Sequence, residues 1–109
     1  MTNVIVVAVL QAKPGSEETA LALLTETIEA THAEEGCRTY ALHVSKQDPA
    51  QFVIIERWDD QEALDGHFGT PHMAKLAGAA GDLLAAPPTI VFTEAIAVGD
   101  PAKGTLAGA

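Results

Sequence analysis

Two strand-like runs around a short polar turn place the strongest constraint on the fold of this chain. Residues 37–45 and 51–58 are rich in β-branched and aromatic side chains, and the polar segment KQDPA at residues 46–50 separates them. Two such runs joined by about five turn residues predict an antiparallel β-hairpin. This hairpin occupies the middle of the chain, and the elements before and after it are predicted from their own patterns.

One strand and one helix are predicted before the hairpin. Residues 4–11 are rich in β-branched side chains and end at the turn sequence AKPG, so they are expected to form a strand. Ser16 has the chemistry of a helix N-cap, and Glu17 and Glu18 follow at the positive end of the helix dipole. The helix is predicted to continue to about residue 34, and Gly36 is a typical terminator just beyond its end.

A broken helix is predicted after the hairpin. Asp59 stands three residues before Glu62, which is capping-box spacing for a short helix through about residue 68. Thr70 is predicted to cap a second helical segment, with Pro71 at its first position and its end near residue 84.

A last strand is predicted over residues 89–98, followed by a flexible tail over residues 99–109. The element order is therefore β-α-β-β-α-β. This order is typical of an α+β, ferredoxin-like fold with a four-stranded antiparallel sheet, here as a single domain over residues 1–98.

Both faces of the predicted sheet are apolar, although two helices can cover only one of them. Val4 and Val6 alternate with Ile5 and Val7 in the first strand, whereas a solvated sheet face should carry polar residues. We therefore expect a homodimer in which two copies pack through the sheet face.

The charge balance argues against several classes of partner. Fifteen acidic and six basic residues give a net charge of −9, which disfavours nucleic acid and anionic membrane surfaces. There is no apolar run near the length of a membrane span and no Lys/Arg-led signal peptide, so a cytoplasmic protein is expected. The single cysteine excludes an internal disulfide.

Several residues of the central segment resemble the antibiotic biosynthesis monooxygenase domain family. These residues are Glu35, Gly36, Cys37, Tyr40, Glu56, Trp58, Leu64, His67, Pro71 and His72. The resemblance implies a dimeric α+β barrel with a ligand cavity between sheet and helices. It also implies a quinol-monooxygenase-like enzyme that oxidises a small phenolic or quinol-type aromatic with O2 and uses no cofactor.

Haem-degrading enzymes share this superfamily and rely on an Asn, a Trp and a His. The corresponding positions in this chain are Ala8, His67 and Ala77. Because none of the three residues is retained, haem degradation is not expected.

Oxygenation without a cofactor requires a base that can deprotonate the substrate, because a phenolate gives up an electron to dioxygen more readily than a phenol does. Histidine suits this role at neutral pH. His67 and His72 are therefore the predicted catalytic residues, with either of them as the base. Their spacing across a Gly-Thr-Pro break matches no zinc motif, so no metal is expected.

The large aromatic residues are expected to shape the pocket. Tyr40, Trp58 and Phe68 are predicted to bind substrate, and the small residues of segment 77–81 are expected to leave room for it beneath the second helix.

Two residues of the hairpin are predicted to be structural. Glu56 shares a strand face with Trp58 and is expected to form an ion pair with Arg38 or Arg57 at or near the dimer interface. Cys37 is interpreted as a small buried hydrophobe, because no neighbouring base is evident.

Two other functions remain open at this point. One is a non-catalytic dimeric protein that binds a small apolar ligand, and the other is a cofactor-free isomerase or cyclase on the same scaffold. The fold alone does not decide among them.

Overall fold

The computed structural model describes residues 3–106 as a four-stranded sheet with three helices. The elements are β1 (Val4–Gln11), α1 (Glu17–His32), β2 (Cys37–Val44), β3 (Gln51–Trp58), α2 (Gln61–Phe68), α3 (Pro71–Leu83) and β4 (Thr89–Glu94). The strand order is β2-β3-β1-β4, and every neighbouring pair is antiparallel. The ferredoxin-like arrangement predicted from the element order is confirmed.

The core lies between the helices and one face of the sheet. Side chains of alternate strand residues, such as Val6 and Ile54, form a single buried cluster with Leu24 of α1 and Leu64 of α2. The period of two in the strands and the apolar stripes of the helices produce this layer.

The other face of the sheet is also apolar. Backbone register aligns Ala41, Ile55, Val7 and Val91 in one row across the four strands. Ile55 and Val7 are half-buried within the single chain, and Val91 is 51% exposed. The predicted two-sided apolar pattern is therefore present in the sheet.

Two predicted helix caps differ from the structure. Asp60, not Asp59, is the N-cap of α2, and its Oδ1 accepts a hydrogen bond from the Ala63 N–H at 2.9 Å. Asp59 instead accepts a hydrogen bond from Arg38 Nη2 at 2.7 Å. Ser16 occupies the N-cap position of α1 without a side-chain capping bond, because its backbone (φ −106°, ψ 6°) is not extended.

The break between the second and third helices forms as predicted. Gly69 ends α2, and Pro71 is the first residue of α3. The Thr70 hydroxyl accepts a hydrogen bond from the Met73 N–H and donates one to the His67 carbonyl at 2.7 Å. The break therefore follows His67 by two residues.

The last strand is shorter than predicted. It ends at Glu94, which pairs with Val4, the first residue of β1, so the strand has no neighbour beyond that point. Ile96 and Val98, which the prediction placed in the strand, are highly exposed.

The segment after the last strand folds locally. Asp100 accepts hydrogen bonds from the Ala102 and Gly104 N–H groups, each at 2.7 Å. Residues 107–109 of the predicted flexible tail lie outside the described residues, and its mobility stays a prediction. Within residues 3–106, no helix combines the length and the apolar character needed to cross a membrane.

Candidate active site

A cavity of about 260 Å³ lies between the sheet and the α2–α3 segment. Its wall is almost entirely apolar, and its ionisable side chains are Tyr40, Glu56 and His67. Ala77 and Ala80 of α3 also line it, which confirms that the small residues leave space beneath this helix. The volume is below the roughly 300–1,000 Å³ typical of sites for drug-sized ligands, so the cavity suits a compact molecule.

The helical period of α2 turns His67 inward. Leu64 and His67 are three residues apart and therefore share one face of the helix, and both are 0% exposed. Aromatic rings surround the imidazole, with centroid distances of 4.6 Å to Trp58, 5.5 Å to Tyr40 and 5.4 Å to Phe68. Packing on several sides restricts the orientation of the ring.

The two ring nitrogens of His67 have different surroundings. Nδ1 lies 2.8 Å from Oε2 of Glu34. Nε2 is buried and has no hydrogen-bond partner among the groups of residues 3–106. Burial lowers the pKa of His67 and outweighs the opposing effect of Glu34, so the imidazole is neutral near pH 7.

His72 lies beside His67, with a ring-centroid distance of 6.0 Å, and does not line the cavity. Its Nε2 is 2.8 Å from the same Glu34 oxygen, Oε2, and its side chain is 20% exposed. The two predicted histidines are thus brought together through a carboxylate that the sequence analysis did not identify. Glu34 follows α1 and directly precedes the family-like Glu35-Gly36-Cys37 motif, which is the only signal that could have indicated it.

The predicted substrate-binding aromatics occupy different positions. Tyr40 is 5% exposed and lines the cavity, and burial raises the pKa of its hydroxyl. Phe68 also lines the cavity, is 45% exposed and contacts the Phe92 ring at a centroid distance of 6.1 Å. Trp58 is 0% exposed and packs against the His67 ring without lining the cavity.

The predicted ion pair of Glu56 is wrong. Its carboxyl group lines the cavity and accepts a hydrogen bond from Nε1 of Trp58 at 2.9 Å. Arg38 is paired with Asp59 instead, and Arg57, the next residue in the strand, points to the opposite face. The period of two groups Glu56 and Trp58 on one face of the sheet. It does not identify whether the helices cover that face, and this is where the prediction failed.

Burial has a large effect on the protonation of Glu56. It raises the pKa of the carboxyl group from 4.5 to about 7, although the hydrogen bond from Trp58 acts in the opposite direction. The group is therefore partly protonated at neutral pH, when it can donate as well as accept a hydrogen bond.

Cys37 has the properties of a packing residue. It is half-buried and contacts the core. Burial is the main reason that its pKa is raised to about 11, with Glu34 and Glu56 adding to the effect. A thiol with this pKa is a poor nucleophile at neutral pH.

The Glu34, His67 and His72 side chains also have the chemistry of metal ligands. One potential ligand atom from each lies within 4.8 Å of the others, and two imidazoles with one carboxylate form a known type of metal site. In the observed geometry, however, both ring nitrogens are at hydrogen-bonding distance from one oxygen. A cation here would have to displace the protons that these nitrogens donate.

The comparison with protein families decides the affiliation. The family described as "Antibiotic biosynthesis monooxygenase" matches residues 3–79. The chain belongs to this family. The resemblance noted from individual residues is therefore confirmed, and a monooxygenase-type function follows at the level of the family.

Individual relatives of the chain agree with this affiliation. The chain is 38% identical over 84 residues to "Putative monooxygenase Rv0793" of Mycobacterium tuberculosis, covering 77% of this chain and 82% of that protein. It is 30% identical over 90 residues to "Probable quinol monooxygenase YgiN" of Escherichia coli, covering 72% and 86%. The crystal structure of PA3566 from Pseudomonas aeruginosa superposes with a TM-score of 0.84 at 30% identity, covering 89% of this chain and 97% of that chain.

Proposed function

We propose that this protein is a cofactor-independent monooxygenase that oxidises a small phenolic or quinol-type aromatic with O2. The observation that carries the proposal is the unpartnered Nε2 of His67, in a ring that forms part of an apolar cavity wall. A buried polar atom without a partner is costly, and a bound phenolic O–H would supply the missing hydrogen bond.

The first step is transfer of the phenolic proton to this nitrogen. His67 is neutral because burial lowers its pKa, so its unprotonated nitrogen can act as the base. The resulting phenolate is a better one-electron donor to dioxygen than the phenol. An anthrone forms the corresponding anion by losing a proton of its CH2 group to the base. The substrate then supplies all the electrons: the CH2 group becomes C=O, one oxygen atom enters the product, and the other leaves as water.

Two other cavity groups can stabilise the anion. Tyr40 keeps its O–H proton because burial raises its pKa, and the protonated form of Glu56 offers a second O–H donor. Both groups are fixed by the sheet before substrate binds, and prearranged donors of this kind stabilise developing negative charge.

Cavity size and family membership favour a small aromatic that reacts directly. A volume of about 260 Å³ suits a compact aromatic, such as a hydroquinone or a planar three-ring anthrone, and is small for a flavin nucleotide or a haem. The relative YgiN is named for quinol oxidation, and we extend that substrate class to this chain.

The test is oxygen uptake with a panel of hydroquinones and anthrones, together with the fate of ¹⁸O2. We expect enzyme-dependent uptake with one ¹⁸O atom in the product, and a loss of about 100-fold or more in His67→Gln. His43→Gln, which changes an exposed histidine of β2 that does not line the cavity, is the matched control and should retain activity. Absence of uptake across the panel would sink the proposal, and turnover that persists without oxygen would favour an isomerase.

We also propose that two copies associate through the outer sheet face to form the homodimer. The row Ala41, Ile55, Val7 and Val91 presents apolar surface that soluble monomers seldom expose over a large area. Ile55→Asp should shift the sedimentation equilibrium to monomer. Leu21→Asp, at an exposed apolar residue of α1, should leave the dimer intact, and a monomeric wild-type protein would contradict the proposal.

A further inference from the structure

Glu34 holds a position that links the two histidines of the candidate site. Its Oε2 atom lies 2.8 Å from Nδ1 of His67 and 2.8 Å from Nε2 of His72. An ionised carboxylate only accepts hydrogen bonds. When Glu34 is ionised, both nitrogens that face its Oε2 atom are therefore the protonated ones.

This constraint determines which nitrogen of His67 is the base. A neutral imidazole has one N–H and one unprotonated nitrogen, and the hydrogen bond made by one nitrogen sets the state of the other. With Nδ1 protonated and directed at Glu34, the lone pair is on Nε2. That nitrogen is also the one that is buried without a partner among residues 3–106.

Both the backbone and the side chain of Glu34 are held in place. The Glu34 N–H donates to the Thr31 carbonyl at 2.9 Å, and the Glu34 carbonyl accepts from the Cys37 N–H at 3.1 Å. His72 supplies the second donor to Oε2 and projects from the first turn of α3. The network therefore joins the end of α1, the start of β2 and the α2–α3 break.

We propose that Glu34 is a positioning residue that fixes His67 in the Nδ1–H tautomer, so that Nε2 accepts the substrate proton, and that His72 holds Glu34 in place. The catalytic part of this inference, the transfer of the substrate proton to Nε2, rests on the proposed function. When Nε2 takes the phenolic proton, the imidazolium forms with its Nδ1–H still bonded to the carboxylate, which stabilises the positive charge. The proton moves from the substrate oxygen to Nε2, and no other bond changes in this step.

The test is a direct measurement of the tautomer by long-range ¹H–¹⁵N NMR, which distinguishes a protonated ring nitrogen from an unprotonated one. The wild-type protein at pH 8 should show His67 protonated at Nδ1, with signals assigned by their loss in His67→Gln. Glu34→Leu removes the acceptor and should raise the population protonated at Nε2. Glu34→Gln keeps an acceptor oxygen and should retain the wild-type tautomer, and Glu35→Leu is the matched control at the adjacent exposed residue.

Kinetics provide the second readout. We expect Glu34→Leu to lower kcat about 100-fold with little change in KM, and Glu34→Gln to recover most of the loss. An Nε2–H tautomer in the wild type, or an unchanged Nδ1–H tautomer in Glu34→Leu, would overturn the inference. So would a stoichiometric divalent cation in the purified protein that disappears in Glu34→Leu, because Nδ1 would then be a metal ligand.

The tautomer experiment needs no substrate, so the two proposals can fail separately. The expected tautomers without oxygen uptake would refute the proposed reaction and retain the role of Glu34 in fixing His67. Oxygen uptake with an unchanged tautomer in Glu34→Leu would retain the reaction and refute the positioning role.

Discussion

The buried carboxyl group of Glu56 should make the stability of the protein decrease as pH rises. Burial raises its pKa from 4.5 to about 7 in the folded state. Between these values the folded protein binds the proton and the unfolded chain releases it, so the free energy of unfolding falls with increasing pH. The effect is absent below about pH 4.5, develops up to about pH 7 and is constant above that.

The size of the effect follows from the shift in pKa. Each pKa unit corresponds to 1.36 kcal/mol, so the shift predicts a loss of about 3 kcal/mol between pH 4 and pH 8. Glu56→Gln keeps an acceptor oxygen for Nε1 of Trp58 but does not titrate. Between pH 4 and pH 8, the free energy of unfolding of the variant should therefore rise by about 3 kcal/mol relative to that of the wild type.

Urea denaturation followed by fluorescence measures this difference, since Trp58 is the single tryptophan and contacts Glu56 directly. Glu29→Gln, at an exposed residue of α1, should follow the pH dependence of the wild type. If the stability difference between Glu56→Gln and wild type changes by less than about 1 kcal/mol from pH 4 to pH 8, the assignment of a buried, proton-binding carboxyl group is refuted.

Three further predictions concern packing and reactivity. A Cβ atom added at Gly36 would overlap Cβ of Ala63, whereas one at Gly66 would meet nothing within 4 Å. Gly36→Ala should therefore destabilise the protein by about 1–3 kcal/mol in urea denaturation, and Gly66→Ala should stabilise it by up to about 1 kcal/mol; equal effects would contradict the close approach. With a pKa raised from 9.0 to about 11, the Cys37 thiol should react with iodoacetamide at pH 8 about 100-fold more slowly in the folded protein than in urea, and equal rates would refute the burial effect. Ala77 is an exposed helical residue that lines the cavity, so Ala77→Phe should fill part of the cavity with only a small change in Tm. The variant should bind a hydroquinone about 10-fold or more weakly, as measured by calorimetry. Unchanged affinity would place the ligand elsewhere.

The order of the elements could be predicted because each one carries its own local signal. The hairpin turn, the alternation in β1 and the Thr70-Pro71 restart depend on neighbouring residues only. The errors arose where two adjacent residues offer the same chemistry or where the partner is distant. Either Asp59 or Asp60 could cap α2, and the choice depends on Arg38, which holds Asp59 from another strand.

The candidate site was predicted less completely than the fold. The three-residue spacing between Leu64 and His67 predicted that His67 lies near the core-facing side of its helix. The family resemblance indicated a cavity. Glu34 was missed because it contacts His67 across 33 residues of sequence, a separation that no local pattern spans. The sequence analysis did not place Glu56 on the sheet face that the helices cover. Strand periodicity defines two faces without showing which one the helices cover.

The most direct test of the central claim is the ionisation state of a bound substrate analogue in the absence of oxygen. An anthrone is mixed anaerobically with the protein at a pH where the free compound is neutral, and its absorption spectrum is recorded. Wild-type protein should bind it as the anion, because Nε2 of His67 takes the proton, and His67→Gln should bind it in the neutral form. A neutral spectrum on the wild-type protein, or the same anion spectrum on both proteins, would contradict the role of His67 as the base.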